Sequence, residues 1–102
     1  MAEQGKIEFP FQETLLDNGL FKRIFEENVD SEELIWHRDR EDRKVTISES
    51  KGWLLQIENK LPIPLEEGKE YFIKANEWHR VIKGKGKMIL FIEKGSKKHE
   101  KV

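Results

Sequence analysis

Gly68-Lys69-Glu70-Tyr71-Phe72-Ile73-Lys74-Ala75-Asn76-Glu77-Trp78-His79 joins a glycine turn, a short apolar strand, a second turn and a histidine. Tyr71 to Lys74 reads as the strand and Ala75-Asn76-Glu77 as the turn. Trp78 to Lys83 then resumes the alternation of a second strand. The same local word occurs earlier in the chain, where Trp36-His37-Arg38 matches Trp78-His79-Arg80 residue for residue. Each tripeptide lies in a run that alternates like a strand, so the repeat sets two histidines in equivalent frames of one small sheet structure.

Working outward, Asp30-Ser31 is a turn signal, and Leu34 to Asp39 then alternates. Ile35, His37 and Asp39 fall on one face, with Leu34, Trp36 and Arg38 on the other. Arg40-Glu41-Asp42 turns the chain into Lys44 to Ser48, where Val45 and Ile47 share a side with Arg43. Ser50-Lys51-Gly52 turns it again. Trp53 to Glu58 alternates Trp53, Leu55 and Ile57 against Leu54 and Gln56, and ends at the Asn59-Lys60 corner. Leu61-Pro62-Ile63-Pro64-Leu65 is an edge strand or connector, because proline has no N–H to give a central ladder. Gly84-Lys85-Gly86-Lys87 reads as a hairpin tip leading into Met88 to Glu93. Upstream, Leu15-Leu16 could open a helical turn, which Asn18-Gly19 interrupts, and Leu20 to Glu26 is read as a strand. Seven or eight short strands with regular turns predict an all-β sandwich or barrel.

At 102 residues the chain accommodates one modest core. The expected organisation is a loose N-terminus over 1–6, one folded unit over 7–94, and a charged tail over 95–102. Nineteen basic against twenty acidic residues leave a net charge of -1, which gives no overall attraction to nucleic acid or anionic membrane. Lys83, Lys85, Lys87, Lys97 and Lys98 have no aromatic groups interleaved beside them, as a nucleic-acid surface would need. No run approaches the roughly 18 apolar residues of a membrane span, and Met1 to Lys6 does not read as a signal peptide, so a cytoplasmic protein is expected. With no cysteine, disulfides and thiolate chemistry are excluded. Gly84 to Lys87 lacks the context of a phosphate-binding loop, and no serine lies in a nucleophile elbow. Histidines and carboxylates are left to carry any chemistry.

The sequence resembles the cupins, small double-stranded β-helix or jelly-roll proteins, from Leu34 to Glu93. Their second motif is a glycine, five residues, a proline, one residue, a glycine, two residues and a histidine. Gly68, Lys74, Asn76 and His79 hold those positions, with Lys74 for the proline and Asn76 for the glycine. Asparagine is a frequent non-glycine visitor to positive φ, which suits that turn. The first motif is His, one residue, His, three or four residues, Glu, and here it reads His37, Arg38, Asp39, three residues, Arg43.

The resemblance implies a jelly-roll barrel in which His37, Asp39, Arg43 and His79 converge at one end, and a homodimer formed by sheet packing. Two imidazoles and a carboxylate suit a divalent transition metal such as iron, manganese, nickel or zinc. A guanidinium cannot ligate a metal, so Arg43 is assigned to an ion pair with Asp39 or Glu41, or to an anionic group of a ligand. Glu41 is a spare carboxylate, while Trp53 and Tyr71 are candidate pocket residues. Trp36 and Trp78, opposite the histidines, are expected to pack against a second sheet, an N-terminal segment or a partner subunit.

Three functions are compatible with these residues. One is a metal-binding cupin that binds or transforms a small anionic or sugar-like molecule. The second is a metal-free ligand-binding module without catalysis. The third is an assembly protein that uses its outer apolar face. The fold does not choose among them, nor between enzyme and binder.

Overall fold

Eight strands and one short 3-10 turn form the part of the chain described by the computed structural model, residues 9–95. The expectations for 1–6, and for the tail beyond Gly95, lie outside those residues. The strands are β1 (Gln12–Leu15), β2 (Phe21–Phe25), β3 (Arg43–Lys51), β4 (Leu54–Ile57), β5 (Ile63–Pro64), β6 (Glu70–Ile73), β7 (His79–Ile82) and β8 (Lys85–Lys94). They make two antiparallel sheets, a five-stranded one in the order β1-β2-β8-β3-β6 and a three-stranded one in the order β5-β4-β7. The all-β expectation holds. Among the described strands the two sheets do not join into a continuous closed barrel.

Period-two patterning explains which faces meet. Val45 and Ile47 of β3, Met88, Leu90 and Ile92 of β8, and Trp53 and Leu55 at β4 are buried in one core. Their neighbours in sequence point outward, as strand geometry requires. Pro64 sits in β5 at the edge of the smaller sheet, where its missing N–H costs no central ladder bond.

Among the described strands the chain crosses between sheets four times, and two of the crossings touch. After Lys51 it turns through Gly52 at φ 78° into β4; after Ile82 it passes Gly84 into β8. A β-carbon on Gly84 would collide with Lys51 O, Gly52 C and Trp53 N, so glycine is required there for close backbone approach. The hairpin tip expected at 84–87 is therefore corrected. β7 and β8 lie in different sheets, and the glycine serves the crossing.

Two further expectations change. Gln12 to Leu15 is a strand rather than the opening of a helical turn, and Asn18-Gly19 turns it back onto β2. Leu34 to Asp39 is not a full strand. Asp30 caps a 3-10 turn over Ser31–Glu33 by accepting from Glu32 N–H at 3.0 Å, and the following extended segment meets β7 at a single bridge, His37 to His79. Among the described residues no helix is long and apolar enough to cross a membrane.

Candidate metal centre

The repeated tripeptides lie antiparallel against each other. His37 N–H donates to His79 O at 3.0 Å, and His79 N–H donates to His37 O at 2.9 Å. The pairing places Arg80 over the Trp36 ring at 4.8 Å and Arg38 over the Trp78 ring at 5.1 Å, a local two-fold arrangement. Both tryptophans keep exposed surface, 38% and 39%, so among the described residues arginine covers them where a second sheet or N-terminal segment was expected.

On the other side of the bridge the two imidazoles approach to 4.3 Å between centroids. The Nδ1 atom of His37 lies 3.0 Å from Ile35 O, and that of His79 lies 2.8 Å from Glu77 O. A carbonyl only accepts, so each Nδ1 carries the proton and each Nε2 presents a lone pair. Identical tripeptides thus produce identical tautomers, each fixed by the carbonyl two residues upstream, as in many metal-ligating histidines.

Asp39 completes the set. Its Oδ2 is buried and without a hydrogen-bond partner, although His79 Nε2 lies 3.4 Å away. Proximity without a bond follows from the tautomer, because two acceptors face each other with no proton between them. One ligand atom from each of His37, Asp39 and His79 lies within 4.8 Å of the others. Three converging lone-pair donors in a partly dry site have the chemistry to hold a divalent cation. The residues present fit a metal.

The surrounding loops hold this geometry. Asn76, at φ 64°, turns the chain so that its N–H donates to Asp39 O at 2.6 Å, while Ala75 N–H donates to the Asp42 carboxylate at 2.8 Å. The positive φ read from the sequence at Asn76 is what lets this turn clasp the Asp39 segment. Burial pushes the His79 imidazole below its ordinary range. The Glu77 carbonyl and Asp39 oppose that shift, while His37 and Arg43 reinforce it. His79 is accordingly neutral and able to ligate near neutral pH.

Arg43, at the start of β3, places Nη2 3.4 Å from Asp39 Oδ1 and 2.8 Å from Glu41 Oε2, and its Nε also donates to Glu41 at 2.9 Å. Both pairings read from the sequence are therefore made. Glu41 is held by Arg43 and does not join the three-residue cluster. Tyr71 lines the cavity next to the cluster, but its hydroxyl accepts from Glu66 N–H at 2.8 Å and donates to Pro64 O at 2.9 Å, which secures the turn after β5. Trp53 is wholly buried, donates through Nε1 to Gly86 O at 3.3 Å, and is a core residue that does not line the cavity.

The cavity, about 900 Å³, also receives charged residues that the sequence reading passed over: Glu13, Arg23 and Lys94. Arg23 ion-pairs with Glu13, its Nε donating at 2.7 Å, and its guanidinium lies 3.7 Å from the Phe11 ring centroid. Burial pulls Arg23 below the usual arginine range, and Glu13 opposes it. Burial raises Glu13 in turn, but Arg23 and Lys94 more than offset this and leave its carboxyl below the usual range. The signal was available in the alternation. Arg23 stands between Phe21 and Phe25 on the inward face of β2, and Lys94 continues the inward series Met88, Leu90, Ile92.

A cupin domain from Bordetella pertussis Tohama I superposes with a TM-score of 0.61 over 90% of this chain and 100% of its own, at 20% identity. The fold is that of a cupin. KdgF from Halomonas sp. matches with a TM-score of 0.62 over 92% of this chain and 88% of its own, at 10% identity. HppE, in its iron(II) form and in complex with substrate, matches with a TM-score of 0.59 over 85% of this chain and 53% of its own, at 12% identity. No protein-family model matches the chain, and no curated protein matches it.

Proposed function

We propose that this cupin is a divalent-metal protein whose pocket binds or transforms a small anionic molecule. His37 and His79 would ligate through Nε2 and Asp39 through its carboxylate. The single observation that carries the reading is the orphaned Asp39 Oδ2, aimed at a histidine that has no proton to give it. A cation satisfies all three groups together, whereas leaving a buried carboxylate oxygen unpaired costs about 1–3 kcal/mol. The iron(II) form of HppE, a structural neighbour, supports the choice of a transition metal. When bound, such a metal supplies Lewis acidity and open coordination positions.

The chain's own residues do the rest. The backbone carbonyls of Ile35 and Glu77 fix both imidazoles, and Arg43 holds Asp39 in place while directing positive charge into the cavity. Much of the surrounding wall is apolar.

Elemental analysis of protein purified without chelator tests the proposal, run beside a His37→Ala/His79→Ala variant that retains its fold. About one iron, manganese, nickel or zinc per chain, lost in the variant, is the expected result. No metal after incubation with each ion would overturn the proposal.

A metal-free binding module is the second reading. The observation that favours it is the contact between Arg43 and Asp39 Oδ1, which already neutralises part of the carboxylate without any cation.

A further inference from the structure

We infer that the cavity beside the histidine–aspartate cluster takes a small molecule with an apolar body and one carboxylate head, not a sugar. The inference rests on the reading of this site as a metal-bearing ligand pocket, and adds the class of ligand. The cavity, about 900 Å³, has room for a ligand of substantial size. Much of its wall is hydrocarbon, including Phe11, Phe25, Leu55, Val81, Leu90 and Ile92. A sugar would bring a hydroxyl to nearly every carbon, and each one buried against such a wall without a partner costs about 1–3 kcal/mol. An aromatic or aliphatic body gains from the same contact.

The polar groups are few, and they select an anion. Arg23 commits Nε and Nη2 to Glu13, and Arg43 commits Nε and Nη2 to Glu41 and Asp39. These pairs use Nε and Nη2 and leave Nη1 of each guanidinium outside them, so two arginines lining the cavity bring further donors to a carboxylate. The basic lining residues Arg23, Arg43 and Lys94 are balanced by the acidic Glu13, Glu33 and Asp39. A divalent ion on the cluster leaves an excess of positive charge, which an anionic head offsets.

Isothermal titration of the whole protein, zinc-loaded and zinc-free, with 4-phenylbutyrate, 4-phenylbutan-1-ol and glucose 6-phosphate tests the inference. The carboxylate is expected to bind the zinc-loaded protein about tenfold or more tighter than either of the others. Arg23→Met and Arg43→Met should each cut that preference about fivefold or more. If either fails to fold, by circular dichroism, the corresponding lysine variant, which keeps the charge and loses the fork, should show a smaller loss in the same direction. Equal or tighter binding of the alcohol or the sugar phosphate, no binding of the carboxylate, or an unchanged preference in the arginine variants would overturn the inference. Zinc uptake is measured separately. Zinc without phenylbutyrate binding overturns this inference and spares the metal proposal; phenylbutyrate binding without zinc uptake does the reverse.

Discussion

His37 and His79 exchange a pair of backbone hydrogen bonds and turn their Nε2 lone pairs to the same side of that bridge, each ring fixed by the carbonyl two residues before it. The geometry follows from a repeated tripeptide paired with itself in antiparallel register, so neither ring depends on a separate orienting side chain. Asp39 then enters with its Oδ2 facing an acceptor. That mismatch gives opposite signs to two measurable quantities.

Asp39→Asn should stabilise the metal-free protein and abolish metal binding. The amide N–H can donate to His79 Nε2 while its oxygen still accepts from Arg43, which replaces an orphaned acceptor with a bond worth about 0.5–1.5 kcal/mol. Chemical denaturation with chelator present, set beside metal titration of the same variant, checks both halves. A less stable metal-free variant would contradict the account of the orphaned oxygen.

The depressed His79 imidazole predicts a pH dependence in metal-free protein. Burial is the first cause of that depression, so the unfolded chain takes up this proton at higher pH than the folded one. The unfolded state therefore binds more protons as the pH falls through the ordinary value of 6.5, and stability declines in that direction. Melting temperatures between about pH 8 and about pH 5.5, above the range where ordinary carboxylates titrate, should fall on acidification, and His79→Gln should flatten the slope. A wild-type melting temperature that rises on acidification would contradict the assignment.

Gly84→Ala tests the double crossing. The added methyl group meets the backbone of Lys51, Gly52 and Trp53, which cannot move aside as a flexible side-chain tip can. A loss of about 1–3 kcal/mol or more is expected, whereas Gly19→Ala, whose new β-carbon meets nothing within 4 Å, should show only the smaller cost of its positive φ, 88°. Equal losses at the two positions would refute the close approach.

At Asn76 the backbone lies at φ 64°. Asn76→Gly should leave stability and metal uptake close to wild type, while Asn76→Val should cost about 1–2 kcal/mol and weaken metal binding, because the turn that bonds Asp39 O is displaced. Equilibrium denaturation and metal titration of both variants check this.

The fold was legible because turn residues punctuate it: Gly68, Asn76 and the proline-flanked Ile63 each carry a backbone requirement that only certain places in a sheet satisfy. The three cluster residues could be read because motif spacing and strand alternation agreed at His37, Asp39 and His79. Gly84 was misread because a glycine demanded by close approach looks, in sequence, like a glycine demanded by a hairpin. Trp53 was read as a pocket residue because alternation gives the inward face but not the depth along it. Arg23 and Lys94 went unnoticed because charge suggested solvent, although their flanking apolar residues already put them on the inner face.

The most direct test of the metal centre is an anomalous-difference map from crystals loaded with zinc and measured at its absorption edge. The account predicts a peak about 2.0–2.2 Å from Nε2 of both His37 and His79 and from an Asp39 oxygen, with no arginine atom in its coordination sphere. A map with no peak between those three side chains, or with zinc bound only elsewhere on the surface, would contradict it.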